Sequence, residues 1–256
     1  RAEGGRTLTL QGSTVTNTGT LEAVTGGTLS ATNLRNEAAL TANGGSVTLN
    51  GTWTNLGTFT ATNATVNLGG TFPLAALGTF TRTGGTVNLT GTLDHAGQGL
   101  DLDEQLGPLV LNGGTLKAGR VEGASLTATS SNTLDGVTLA TNLTLRNAAT
   151  VTARTSFALD GAVVSLESEP STTQLLLENL PILAGTGEVR LAGASFGTGV
   201  LRQTSGALTL APGITLRTTT GSGVVGLSSA PLVVQGTVRA EGGRTLTLQG
   251  STVTNT

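Results

Sequence analysis

The sequence predicts an all-β chain wound as a parallel β-solenoid, and three observations predict it. Residues 1–18, RAEGGRTLTLQGSTVTNT, return without a substitution as residues 239–256. A shorter, degenerate unit recurs between them: a glycine turn, a small polar residue, then Val or Leu alternating with polar positions. Composition is that of many short strands, with 39 glycines in 256 residues, 2% aromatic and 11% charged. Disordered chains are poorer in apolar residues and richer in charge. Glycine here has no period of three, which excludes collagen. No apolar run approaches the roughly 18–20 residues of a membrane span.

The eighteen-residue identity reads as a tandem array whose period is the 238 residues from Arg1 to Arg239. Residues 1–238 are then one long solenoid repeat, and 239–256 open the next identical copy in a continuous rod without separate domains. A duplicated end left by a fusion is the bland alternative.

The short unit appears as Thr7-Leu8-Thr9-Leu10-Gln11-Gly12, Ser46-Val47-Thr48-Leu49-Asn50-Gly51, Thr65-Val66-Asn67-Leu68-Gly69 and Thr86-Val87-Asn88-Leu89-Thr90-Gly91. Leu109-Val110-Leu111-Asn112-Gly113 and Ala207-Leu208-Thr209-Leu210 continue it. With Thr28-Leu29 included, successive starts at 7, 28, 46, 65 and 86 lie 18 to 21 residues apart. Alternation with a period of two marks a strand with one buried face. One coil of about twenty residues cannot bury its three inward rows alone, so coils must stack. About twelve coils at roughly 4.8 Å each make a rod near ~57 Å.

Glycine pairs punctuate the corners at Gly4-Gly5, Gly26-Gly27, Gly44-Gly45, Gly69-Gly70, Gly84-Gly85, Gly113-Gly114 and Gly242-Gly243. They supply the left-handed backbone that other residues resist. Asn17, Asn33, Asn50, Asn63, Asn88, Asn112 and Asn142 suit the same positions, and stacked asparagines form hydrogen-bonded ladders. A phosphate cradle is not expected, because no Walker-type glycine loop opens a helix here.

The regularity breaks at 94–108 (DHAGQGLDLDEQLGP), 167–181 (ESEPSTTQLLLENLP) and 194–206 (ASFGTGVLRQTSG). Each is expected as a loop extruded from a corner, with at most a helical turn in 167–181. Loops on a rigid scaffold are where binding usually resides.

The run Gly84–Gly119, GGTVNLTGTLDHAGQGLDLDEQLGPLVLNGGTLKAG, resembles the repeats of very large bacterial secreted exoproteins. These are similar to filamentous-haemagglutinin and autotransporter passengers, which form right-handed parallel β-helices. The clearest match covers roughly residues 44–119, with weaker echoes at 1–34 and 207–256. The resemblance implies a right-handed parallel β-helix in an exported, fibrous protein of a bacterial cell surface.

Candidates for chemistry are few. A formal charge of −2 gives no basic face for nucleic acid. With no Cys and one His, His95 has no partners for a familiar transition-metal site and is expected exposed in a loop. Asp101, Asp103 and Glu104 are the densest carboxylates. In Leu100-Asp101-Leu102-Asp103, alternation predicts both aspartates on the outer face of one strand, a weak calcium candidate beside the reading of a solvated face. Thr7/Thr9, Thr14/Thr16, Thr52/Thr54, Thr58/Thr60 and Thr218/Thr220 suggest an ice-binding face, but variable coil length predicts that the pairs drift in register. Threonine is also a good strand residue. Trp53, Phe59, Phe72 and Phe80 are expected inside as core rather than outside as a sugar-stacking strip. Arg35, Arg82, Arg120, Arg146, Arg154, Arg190, Arg202 and Arg217 are scattered, serving lateral salt bridges or solubility.

The expected function is a structural segment of a long extracellular bacterial fibre or filament, stiff and self-associating end to end or side by side. An adhesin binding a glycan or surface through 94–108, 167–181 or 194–206 is the alternative. A polysaccharide-cleaving enzyme and an ice-binding solenoid rank below both. No catalytic or cofactor-binding residue, no cofactor and no enzymatic activity are expected. The partner is the adjacent copy of the same chain.

Overall fold

The computed structural model describes residues 1–146, 148–193 and 197–256. Parallel strands stack as a β-solenoid of about 12 turns, with almost no helix. Each turn contributes a strand to each of three columns, and strands pair with their counterparts one turn on except between Thr54–Asn55 and Thr71–Pro73 and between Thr79–Thr83 and Leu100–Asp101.

The first column runs the length of the rod. Its inward residues stand over one another as Leu8, Leu29, Val47, Val66, Val87, Leu109, Leu126, Leu143, Val164, Val189, Leu216 and Val238. The interval between rungs ranges from 17 residues (Leu109 to Leu126) to 27 (Val189 to Leu216). Register nevertheless holds, because a strand slipped by one residue would turn its apolar row to solvent. Length variation is therefore taken up in the corners.

The five threonine pairs do not line up on one face: Thr7 and Thr9 stand on the first column, Thr16 and Thr54 on the second with Arg35 between them, Thr58 and Thr60 on the third, and Thr218 is buried. Register is kept instead at single outward positions. Thr7, Thr28, Ser46, Thr65 and Thr86 form one outward row on the first column. On the third column Thr58 and Thr60 lie beneath Thr79 and Thr81.

The second column carries Val15 and Leu34, then Trp53 and Phe72, whose rings meet at 4.4 Å, then Leu93, Leu116 and Leu134. Its upper part includes Val151, Leu175, Leu201, Val225 and Leu248. The third column begins with Leu21, Leu40, Phe59 and Phe80. Trp53, Phe59 and Phe72 are core, as the alternation predicts, whereas Phe80 is half-buried.

Corners between columns need glycine where two turns touch. A Cβ at Gly45 would lie 2.6 Å from the Ala23 backbone, closer than any side chain tolerates. Asn33 and Asn63 hold left-handed backbone, with φ of 57° and 46°. Asn17 does something else. It stacks in a buried ladder, Asn17 Nδ2 donating to Asn36 Oδ1 at 2.6 Å and Asn36 Nδ2 to Asn55 Oδ1 at 2.7 Å. Asn55 Nδ2 ends the ladder on the carbonyls of Leu77 and Thr79. A short 3-10 helix, Leu74–Leu77, precedes that terminus.

Two of the three expected loops are largely strand. Residues 167–181 hold the strand Thr173–Glu178 and no helical turn, because Leu175 and Leu177 continue an inward row. In 194–206, residues 194–196 lie outside the described residues, and Thr198–Gln203 is a strand paired below and above.

Candidate functional site

Among the described residues the third column is interrupted once, above the strand that carries Arg82. Its second inward row reads Ala23, Ala42 and Ala61, all buried, and the next residue in register is Arg82. A guanidinium cannot take an alanine's place inside a closed stack, because a buried charge needs partners. The next turn provides them. Arg82 Nη1 donates to Leu106 O at 3.0 Å and Pro108 O at 2.9 Å. Its Nε and Nη2 donate to Gly84 O and Gly85 O. Burial lowers the Arg82 pKa, yet arginine stays charged in proteins.

The segment above Arg82 is the expected loop 94–108, and it is ordered. It contains the strand Leu100–Asp101 and a single helical turn, α1 (Leu102–Gln105). Leu100, Leu102 and Leu106 are fully buried and anchor it to the core. Asp101 caps α1, its Oδ1 accepting the Asp103 backbone N–H at 3.0 Å. Asp101 and Asp103 therefore do not share an outward strand face. The strand ends at Asp101, and Asp103 and Glu104 belong to the first turn of the helix, where negative charge is favoured. Among the described residues no group of three or more His, Cys, Asp or Glu side chains is placed to hold a metal ion.

His95 is not an exposed loop residue. It is 1% exposed, with the Gly119 backbone against its ring. Nδ1 lies 2.7 Å from the Gln98 carbonyl, which requires that it carry the proton, and buried Nε2 has no partner. Burial pushes the imidazole pKa down, opposed by the Gln98 hydrogen bond and the Asp94 charge. Asp94 is held low chiefly by Lys117, whose Nζ donates to its Oδ2 at 2.8 Å.

Between Phe80, Thr81 and Arg82 on one wall and α1 with residues 106–108 on the other lies an open cleft of about 530 Å³. A second hollow of about 310 Å³ adjoins it and shares Phe80, Glu104 and Gln105. The Phe80 ring, the Asp103 and Glu104 carboxylates, the Gln105 amide and the Arg82 guanidinium thus line the cleft.

Some of the scattered arginines tie neighbouring turns of this rod together, whereas Arg35 pairs with Glu37 in its own turn. Arg154 reaches Asp135 at 3.0 Å. Arg217 bridges Glu188 below and Glu241 above, the latter at 3.1 Å. Arg190 is the larger influence holding Glu188 low, with Arg217 contributing.

At the top of the rod, the second copy of the opening segment has a defined seat. The strand Leu246–Gln249 pairs with Ser222–Gly226, and Val253–Asn255 pairs with Leu232–Val234.

No family model, no curated protein and no solved structure matches the chain.

Sequence reasoning missed Arg82 at the break, and Asn36 and Asn55 as ladder members. A signal existed for each. Arg82 stands where three earlier units have Ala, and Asn17, Asn36 and Asn55 recur nineteen residues apart.

Proposed function

We propose that the chain is a structural segment of a long extracellular fibre on a bacterial cell surface, in which successive copies of the 238-residue repeat continue one solenoid. The observation that carries this reading is the seating of residues 239–256. A segment identical to the chain's own opening pairs in register with the turn before it, so the end of one copy serves as template for the start of the next. Solenoid stability is close to a sum of turn and neighbour terms, so each copy adds stability as well as length. The mechanism is mechanical. Main-chain bonds between turns act together, and shearing the rod must break many at once.

The resemblance of Gly84–Gly119 to secreted bacterial exoproteins supports the surface location and the likeness to filamentous-haemagglutinin or autotransporter passengers. Immunogold labelling of intact source cells tests the location, with label confined to the cell interior as the overturning result.

Electron microscopy of chains carrying one, two and three copies tests the fibre. Each added copy is expected to lengthen the rod by about eleven and a third turns, or ~54 Å at ~4.8 Å per turn. Particles of constant length would overturn it.

The cleft beside α1 favours a second reading, an adhesin that takes glycan there. Glycan-array binding abolished by Phe80→Ala would support it, and retention of that binding in the variant would exclude this groove. Turnover of an acidic polysaccharide by the purified protein would displace both readings.

A further inference from the structure

We propose that consecutive copies join through the lower edge of the opening segment, and that each copy is thereby turned by one face, about a third of a turn, relative to the one before. The inference rests on the fibre reading above.

The opening segment occurs twice, and its two occurrences stand on different columns. Thr7–Leu10 lies on the first column, beneath Thr28–Thr32. Its equivalent, Leu246–Gln249, lies on the second column, over Ser222–Gly226. Val15–Asn17 lies on the second column and its equivalent, Val253–Asn255, on the third. Ala2 bridges Ala23 on the third column, while the strand Thr237–Arg239, which leads into the equivalent Ala240, lies on the first. All three shifts have the same sign and size.

The occupant of the open lower edge follows. Leu8, Leu10 and Val15 are only partly buried at that edge. Their equivalents Leu246, Leu248 and Val253 stand over Gly223, Val225 and Leu232. The partner of the first turn is therefore a second copy of this chain, presenting Gly223, Val225 and Leu232 in that register. Seating without a turn would place Leu246 over Leu216, where Val238 already stands. A consequence follows for the groove beside α1. It points in three directions in turn along the fibre and returns to one direction every third copy, so the fibre offers it on all sides.

The chain has no cysteine, so introduced pairs report the register directly. Neighbouring in-register strands stand ~4.8 Å apart, within the roughly 4.4–6.8 Å that a disulfide spans between Cα atoms. In the full chain, Val224→Cys with Thr247→Cys is expected to oxidise to a disulfide, read as a mass lower by two hydrogens. Arg217→Cys with Thr247→Cys is expected to stay reduced. Thr9→Cys with Ser30→Cys is the control and forms in either arrangement. Crosslinking of the Arg217 pair, or of neither pair while the control forms, overturns the proposal.

In a two-copy chain, microscopy should then show the second α1 bulge a third of a turn round from the first. Bulges in line would overturn the turn. A rod that fails to lengthen while the Val224 pair still crosslinks would sink the fibre reading and leave the seating intact.

Discussion

In both copies of the eighteen-residue segment the glycine turn has one form. Gly4 and Gly5 hold φ of 59° and 73°, and Gly242 and Gly243 hold 65° and 68°. The arginine after the turn donates its backbone N–H to the glutamate before it, Arg6 to Glu3 at 3.1 Å and Arg244 to Glu241 at 3.2 Å. A strand follows each turn. The surroundings are what differ. Asn17 is buried in a ladder, whereas Asn255 is exposed. Glu3 meets Arg1, whereas Glu241 meets Arg217 and accepts Thr218 Oγ1 on its carbonyl. Local sequence sets the turn and the strand, and the rung beneath sets the column.

The largest test of that comparison strikes the seat of the second copy. Val225 is fully buried beneath Leu248. Val225→Asp leaves a carboxylate without a partner there and should cost about 3–5 kcal/mol. Hydrogen exchange should show protection lost across 222–255 and kept across 7–50, because turns of a solenoid open separately from their distant neighbours. Equal loss in both copies would mean one cooperative unit and would erase the contrast.

The same residue type then separates the two addresses. Asn17→Ala removes the bonds to Asn36 Oδ1 and Ala39 O and leaves buried groups unpaired, at about 1–2 kcal/mol. Asn255→Ala should stay within about 0.5 kcal/mol, as exposed substitutions do. Denaturant midpoints of the two variants measure the difference.

Lowering the pH should loosen the break that lies between the two copies. His95 has a depressed folded pKa through burial, so the unfolded chain binds its proton first. Its contribution is complete above the unfolded imidazole value near ~6.5 and is lost as pH falls through that value toward the folded pKa. Melting temperature across that window should decline in the parent, and His95→Gln should remove this part of the decline. An unchanged slope would acquit His95.

The smallest contrast is electrostatic. Glu241→Gln loses a half-exposed bridge to Arg217 and should lower the melting temperature only slightly, less so in high salt. Glu3→Gln loses only a contact with Arg1 at the end of the rod and should be nearly silent. Melting curves at low and high salt distinguish the two.

Much of the fold was legible because inward rows announce themselves. Val66 with Leu68, and Val87 with Leu89, are visible as alternation, and Trp53 flanked by Thr52 and Thr54 reads as buried. The candidate site was less legible. The acidic stretch at 94–108 marks the break, but alternation alone extends the strand through Leu102 and Asp103. It ends at Asp101 because that side chain caps α1, a helical turn whose following carbonyls at Leu106 and Pro108 receive Arg82 from one turn below. His95 looked like a loop residue since nothing local reveals the leucine-anchored segment that closes over it. The register of the threonine rows was equally hidden, because corners absorb unequal turn lengths without marking the strands.

The sequence by itself determined the strand period, the glycine corners, the need to stack and the identity of the two end segments, since each depends on a residue and its near neighbours. Only the tertiary structure decided which column a strand joins, where the third column stops and which buried polar groups meet. Those outcomes depend on the turn below, about twenty residues away, and on how many residues the intervening corners absorb.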